Sequence, residues 1–347
     1  MRMQSVRDLK SEIQSRFLES PALPDEFASA FRVKRASAMA LHADALHTRA
    51  QRRLSVAMGV SLGRRKGDYC VSVRIQAKKS AATTRLAKRI HAHAKGECDI
   101  RFVKDVRKQK SPAWFQKRRR PLEAGVSTGL AEVGGAGTLG CIVEDDDGFY
   151  ALSNNHVLAD VNKAQPGDPV VQPGPLDQDP RPNTLIGVLD RFVPMSFRRS
   201  NVVDCAVASL LPDVEFFSGW TEAIPGVIRG VRQLDAGDLG RKVRKAGRTT
   251  GVTEGVITAV DVDRLDVNMA DPGRRAKIAV FSDQIEIGTE DGSAFSAAGD
   301  SGSLIVDTTG RAVALLFSGG LDEDGKKLTW ANRIDRVLSK LGVSITR

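Results

Sequence analysis

The sequence predicts an all-β body of the sandwich or barrel class, preceded by a basic region of helices and a small α+β unit. Three observations carry this. Short β-rich runs separated by Gly, Pro, Asp and Asn recur through the C-terminal two thirds. Helical spacing of apolar residues is confined to the N-terminal part and to the last stretch. The charge also changes sign: residues 1–120 hold 29 Lys/Arg against 10 Asp/Glu, and the remainder 23 against 32. With 347 residues, two domains fit the length.

In chain order, residues 4–19 and 26–52 have the spacing of helices, the second with Phe27, Phe31, Ala38, Leu41, Ala45 and Leu46 near one stripe. Leu54 to Leu62 and Tyr69 to Ile75 predict strands, 80–94 a helix and Ile100 to Val103 a closing strand, giving the order β, β, α, β. The break falls at Lys117-Arg118-Arg119-Arg120 before Pro121, so 1–120 is expected as a basic N-terminal region, 121–136 as a linker and 137–347 as the β domain. Expected strands follow over Gly137–Val143, Tyr150–Ser153, Leu185–Phe192, Cys205–Leu210, Gly255–Val260, Lys277–Ile287, Gly302–Val306 and Ala312–Phe317. Ile334 to Leu341 has the spacing of an amphipathic helix.

Composition narrows the function classes. The chain is 41% hydrophobic and 27% charged, ordinary for a globular protein, with a net charge of +10. No apolar run reaches the roughly 18 residues of a membrane span, and the N-terminal stretch has no apolar core of a secretory signal. Cys70, Cys98, Cys141 and Cys205 show neither a C-x-x-C pair nor zinc spacing, so free thiols, a cytoplasmic setting, no metal and no cofactor are expected. Lys78, Lys79, Arg85, Lys88 and Arg89 form a basic cluster able to meet an acidic partner or nucleic acid, although no aromatic stacking set accompanies it. The bland alternative is a solvated face.

Three segments carry chemistry. Leu152-Ser153-Asn154-Asn155-His156 ends a strand on a histidine. Val202-Val203-Asp204 puts a carboxylate at the mouth of an apolar strand, where burial needs a reason. Ala297-Ala298-Gly299-Asp300-Ser301-Gly302 holds a serine in a glycine-rich turn. A serine hydroxyl is a poor nucleophile until a base takes its proton, and histidine has the pKa range for that task. A carboxylate on the far ring nitrogen fixes the tautomer, and backbone N–H groups of Gly299 and Ser301 can stabilise an oxyanion.

The order His156, Asp204, Ser301 with Gly299-Asp300-Ser301-Gly302 resembles the trypsin/chymotrypsin-like serine peptidases. Gly137-Thr-Leu-Gly-Cys-Ile-Val143, Leu152-Ser-Asn-Asn-His-Val157 and Lys245-Ala-Gly-Arg-Thr-Thr-Gly251 look like the bacterial trypsin-like branch and the plant Narrow Leaf 1 proteins. The resemblance covers about residues 135–335. It implies a chymotrypsin-like double β-barrel and a serine endopeptidase acting on protein or peptide substrates. His156 would be the general base, Asp204 its orienter and Ser301 the nucleophile, with Gly299 and Ser301 as oxyanion donors. Ser318 matches the serine that borders the substrate strand near the triad carboxylate. It also makes a homo-oligomer plausible. Phe295 stands where trypsins carry the acid at the pocket base, which implies a small or apolar substrate side chain. Val157 replaces the cysteine that would bridge to Cys141. With no obvious activation site, Asp300 needs a partner other than a new N-terminus. The competing reading is a catalytically silent scaffold or regulator whose basic N-terminal region binds nucleic acid or an acidic partner.

The remaining features have plainer readings. His42, His47, His91 and His93 lack a carboxylate in a motif and are expected to be structural. Asp145-Asp146-Asp147 and Asp322-Glu323-Asp324 are expected as solvated turns. Cys205 alternates to the face opposite Asp204 and is expected in the core. Gly247 to Gly251 lacks the ending of a phosphate-binding loop.

Overall fold

The computed structural model describes residues 1–19, 55–63, 65, 67–76, 80–104, 114–177, 184–219, 224, 228–270 and 273–346. The helix expected over 26–52, with His42 and His47, and the lysines Lys78 and Lys79 lie outside the described residues.

The N-terminal part has helix α1 (Met3–Gln14), strands β1 (Ser55–Leu62) and β2 (Tyr69–Gln76), helix α2 (Ala81–His93) and strand β3 (Cys98–Lys104). The β, β, α, β order is therefore as the spacing predicts. Helix α2 starts where Ser80 caps it: Thr83 N donates to Ser80 Oγ at 3.2 Å and Ser80 N donates to Thr83 Oγ1 at 2.8 Å. β1 and β2 are antiparallel, and β2 and β3 are parallel across the α2 crossover.

The first barrel comprises β4 (Ser127–Leu130), β5 (Gly137–Thr138), β6 (Cys141–Asp145), β7 (Gly148–Ser153), β8 (Pro169–Val171), β9 (Leu185–Phe192) and β10 (Ala206–Leu210), with short helix α3 (Asn155–Leu158) after β7. Residues 121–136, whose composition reads as a linker, include β4, and Leu122, Val126 and Leu130 are buried in its core. The run Gly137–Val143 is split into β5 and β6. At the break, Gly140 lies so close to the next barrel that a Cβ would sit 2.6 Å from Gly302 O.

The second barrel is β11 (Lys242–Gly247), β12 (Gly251–Asp263), β15 (Gln284–Gly288), β16 (Leu304–Asp307), β17 (Ala312–Asp322) and β18 (Lys327–Arg333). A side ribbon of β13 (Leu265–Asn268) and β14 (Ile278–Phe281) leaves it. The strands run in the order β17, β16, β11, β12, β15, β18, and β18 pairs back with β17, which closes the ring. The expected strand Lys277–Ile287 is broken between β14 and β15 by Asp283, whose φ is +60°. Helix α4 (Ile334–Leu341) ends at Gly342 in the left-handed region, φ +69°. A last strand, β19 (Ser344–Ile345), returns to β6. The two-barrel, chymotrypsin-like architecture is thus present, with helix at the N-terminus.

The N-terminal strands join the second barrel's sheet. β1 pairs with β12 at Met58↔Asp263 and Val60↔Val260, and β3 pairs with β17 at Lys104↔Leu321 and Val103↔Asp322. One apolar cluster spans both parts, from Val6, Ile13, Val73 and Ile90 to Ile257, Ile287 and Leu316. Inside it, fully buried Arg74 donates from Nε and Nη2 to the two oxygens of buried Glu286, both at 2.9 Å, and meets Asp99 at 3.0 Å. Burial opposes the charge on Arg74, but the paired carboxylates push its pKa up. Such a bidentate pair fixes orientation more than it adds net stability. Outside the core, Arg7 and Lys10 of α1 hold Asp261 and Asp263, each at 2.7 Å.

Candidate functional site

The first barrel supplies the histidine and the carboxylate. β7 ends at Ser153, and α3 places His156 against Asp204, at the entry to β10. Asp204 is fully buried and His156 nearly so. The imidazole Nδ1 and Asp204 Oδ2 are 2.5 Å apart, and the His156 backbone N–H donates to Oδ1 at 3.2 Å. The Asp204 backbone is fixed too. Its N–H donates to Asn332 Oδ1 at 2.9 Å, and Asn154 Nδ2 donates to its carbonyl at 2.7 Å. Asn332 donates in turn to Gln284 (2.6 Å), which donates to Val202 O (2.7 Å). Buried amides of the second barrel thus orient a carboxylate of the first.

The loop after α3 is strained. Asp160, Val161 and Asn162 all have positive φ, +41°, +56° and +70°. Each such residue costs on the order of 1–3 kcal/mol, most for β-branched valine. A reciprocal amide pair holds the loop: Asn155 Nδ2 donates to Asn162 Oδ1 at 2.7 Å, and Asn162 N donates to Asn155 Oδ1 at 3.1 Å.

The second barrel supplies the serine turn. Asp300, fully buried, accepts from the amides of Thr249 (2.7 Å), Thr250 (3.1 Å) and Ala297 (2.9 Å) and from Thr250 Oγ1 (2.7 Å). Lys245 of β11, also fully buried, brings its ammonium to 3.3 Å. The partner that Asp300 needs is therefore an internal lysine. Burial pushes the Lys245 pKa below the usual 10.5, and Asp300 offsets part of that. Gly299 has φ +95°, and a Cβ there would lie 2.4 Å from both Arg248 Nη1 and Thr249 Oγ1, so only glycine fits. Arg248 is itself paired with buried Asp177, Nη2 to Oδ1 at 2.5 Å. Thr138 Oγ1 donates to Gly299 O at 2.7 Å. Among the described residues, the N–H groups of Gly299 and Ser301 have no acceptor. Two free amides on one tight turn are suited to receive an anionic oxygen.

The two halves meet at Gly137. Thr138 N donates to Ser301 O at 2.8 Å, and a Cβ on Gly137 would lie 2.5 Å from Val157 Cγ2 and 3.0 Å from Ser301 O. The serine turn therefore packs beside the residue that follows His156. The structure does not join Ser301 to the imidazole: the hydroxyl donates instead to Phe317 O at 3.5 Å.

Of the other expected residues, Ser318 follows Phe317 on β17, is buried, and makes no hydrogen bond to Asp204 among the described residues. Phe295 is wholly buried, with its carbonyl held by Thr253 Oγ1 at 2.7 Å and its ring 5.9 Å from Lys245 Nζ. The four thiols are free. Cys205 is in the core, burial raises its thiol, and the same cause takes Cys141 to about 12. Asp322 departs from its reading as solvated: it is buried, and its Oδ1 accepts from the amides of Asp324 and Lys326, both at 2.9 Å, to shape the β17–β18 turn. His93 packs edge-on against Phe17 and lies 2.9 Å from Glu12. Among the described residues, no three His, Cys, Asp or Glu side chains gather as a metal site.

Sequence reasoning missed Asn154, Gln284, Asn332, Lys245 and the Arg248–Asp177 pair. For Asn332 the available signal was a polar residue ending a largely apolar run, Leu-Thr-Trp-Ala-Asn332; Lys245, in Lys-Val-Arg-Lys-Ala, carries no such signal.

The fold is chymotrypsin-like. Residues 232–344 match the family model of the Nal1 C-terminal domain, so this part of the chain is related to Nal1. The structure is similar to Thermobifida fusca Protease A at 15% identity, covering 65% of this chain and 98% of that one, with a TM-score of 0.44. It is similar to a Nocardiopsis protease at 16% identity, with the same coverages and a TM-score of 0.46. A Cellulomonas bogoriensis chymotrypsin gives 16%, 65%, 98% and 0.43. Among curated proteins, no relative matches the chain. Among the described residues, no helix is long and apolar enough to cross a membrane.

Proposed function

We propose that the protein is a serine endopeptidase. The observation that carries this is the pairing of a buried His156–Asp204 couple with a serine turn whose Gly299 and Ser301 amides are unbonded. In this reading the Ser301 hydroxyl leaves Phe317 O and turns to His156 Nε2 when substrate binds. His156 takes the hydroxyl proton as Oγ attacks the peptide carbonyl, and Asp204 stabilises the imidazolium. The oxyanion is received by the two amides, each worth about 3 kcal/mol in the transition state. His156 then protonates the leaving amine, and water, deprotonated by His156, releases the acyl group. Phe295 favours a small or apolar side chain beside the scissile bond. Peptides or proteins are the partners of this reading, a cytoplasmic setting accompanies it, and homo-oligomers remain compatible with it.

One observation favours a second reading, a silent scaffold: Ser301 bonds Phe317 O rather than the imidazole. In that case α2, with exposed Arg85, Lys88 and Arg89 and no acidic residue, would meet an acidic partner or nucleic acid.

Labelling by a fluorophosphonate, read by intact mass, separates the two. A single adduct on the wild type and none on Ser301→Ala is expected. No adduct on either would remove the peptidase reading.

A further inference from the structure

Two adjoining loops carry a group of cations that the fold leaves unpaired. Residues 193–205, which include Asp204, connect β9 to β10, and residues 269–277 connect β13 to β14. The two loops are tied together. Asn201 N donates to Val280 O at 2.8 Å, and Ser282 N donates to Asn201 O at 2.9 Å. Asn201 Nδ2 donates to Ser196 O at 2.8 Å, which closes the first loop on itself. The Lys277 ammonium lies 4.0 Å from the centre of the Phe197 ring. Arg198, Arg199, Arg274, Arg275 and Lys277 are all exposed. None of the four arginine side chains has a hydrogen bond or ion pair among the described residues. Acids that flank these loops in the chain are engaged elsewhere: Asp283 with Arg333 and Arg336, Asp261 with Arg7, and Asp263 with Lys10.

The local sign is opposite to that of the surrounding body. Residues 121–347 hold 23 Lys/Arg against 32 Asp/Glu, yet 194–201 and 268–278 together hold five cations and one acid, Asp271. Like charges gathered on neighbouring loops repel one another and favour an anionic partner. The platform also adjoins the reacting serine. The Phe281 ring of β14 packs on Phe317, with centroids 4.6 Å apart, and Phe317 O accepts from the Ser301 hydroxyl. Arg199 precedes Asp204 by five residues, so their Cα atoms are at most about 18 Å apart, a span of about five or six residues of extended peptide. Guanidinium groups grip carboxylates through two parallel N–H donors. A single-stranded nucleic acid would use open aromatic faces for stacking, whereas Lys277 covers the Phe197 ring.

Resting on the peptidase reading, we propose that the two loops form an exosite for an acidic segment of the protein substrate, engaged while the scissile bond lies at Ser301. The four arginines meet the carboxylates, and Lys277, seated on Phe197, shapes the platform. Binding there raises the local concentration of substrate without touching the reacting atoms. It selects proteins with an acidic run within about six residues of the cleaved bond.

Two measurements on the full chain test this. The first needs no chemistry: binding of fluorescein-labelled hexaglutamate to Ser301→Ala, read by fluorescence anisotropy. The four arginine side chains hold nothing in place, so replacing all of them by alanine should keep the fold. The dissociation constant should rise about tenfold or more on that replacement, and also on adding salt, because exposed charges are screened. Alanine at Arg85, Lys88 and Arg89 of α2, a separate surface, should leave it within about twofold. No saturable binding, or binding lost through the α2 substitutions instead, overturns the exosite. A thymidine oligonucleotide that binds through the same four arginines more tightly than hexaglutamate overturns the acidic-peptide occupant. The second is the rate of Ser301 labelling by peptidyl phosphonates that carry either a Glu run or a Gln run at the end remote from phosphorus. A several-fold advantage of the Glu reagent that vanishes in the four-arginine variant supports the proposal, and equal rates overturn it. If neither reagent labels Ser301, the peptidase reading fails, while hexaglutamate binding still decides whether the platform takes an acidic peptide.

Discussion

The two barrels hold their halves of the site by different physics. In the first, Asp204 is set by neutral partners: Asn154 donates to its carbonyl, Asn332 accepts from its N–H, and the His156 amide donates to its carboxylate. In the second, the serine turn is set by buried ion pairs, Lys245–Asp300 and Arg248–Asp177, and by a glycine with positive φ. A neutral network tolerates removal of one member at the cost of a hydrogen bond. A buried ion pair does not, because the remaining charge is left unpaired. The nucleophile's half should therefore be the more fragile of the two, while the base's half should fail chemically before it fails structurally.

Four experiments press on that contrast. Asp204→Asn keeps an acceptor for the His156 amide but misassigns the imidazole tautomer. Peptide cleavage should fall about 10⁴-fold in kcat with the denaturation midpoint nearly unchanged. Lys245→Met leaves the Asp300 carboxylate buried without its cation, so unfolding free energy in urea should drop by about 3–5 kcal/mol. Probe labelling should fall with it, and adding Asp300→Asn should restore part of the stability but not the labelling. Gly299→Ala forces a Cβ onto Arg248 and Thr249 at a backbone angle alanine avoids, and labelling should slow by about 10²–10³-fold, the worth of one oxyanion donor. Asn332→Ala removes one hydrogen bond to the Asp204 amide and should cost about 1–3 kcal/mol of stability, with cleavage reduced but measurable.

The pH dependence sharpens the same comparison. Burial sets the Lys245 pKa below 10.5 in the folded protein. Between that lowered value and 10.5 the unfolded chain binds more protons than the folded one, so this group's contribution to stability rises with pH. Its charge on Asp300 disappears over the same interval. Labelling of Ser301 should therefore decline on an alkaline limb below pH 10.5 that circular dichroism does not report as unfolding. A limb that coincides with unfolding would place the loss elsewhere.

Much of the site was legible because its motifs are local. His156 follows a strand end, and Gly299 to Gly302 is one turn, so the residue types and their immediate neighbours carry the information. The partner of Asp300 was not legible. Lys245 is distant in sequence, and its strand reads as a polar edge until the barrel closes over it. The strand β18 was missed for a related reason: Asn332, which holds Asp204, interrupts its apolar pattern. Ser318 was found by resemblance, yet its hydroxyl does not reach Asp204.

The β, β, α, β order, most β-rich runs, the charge division near residue 120 and the His156, Asp204, Ser301 order can all be read from the residues in line. These follow from periodicity, turn chemistry and short motifs, which act between near neighbours. That β1 and β3 join β12 and β17, that Arg74 locks onto Glu286 and that Lys245 neutralises Asp300 emerge only once the chain is folded. Each of those depends on contacts between residues far apart in the chain, and strand pairing over such separations leaves no periodic trace in either partner.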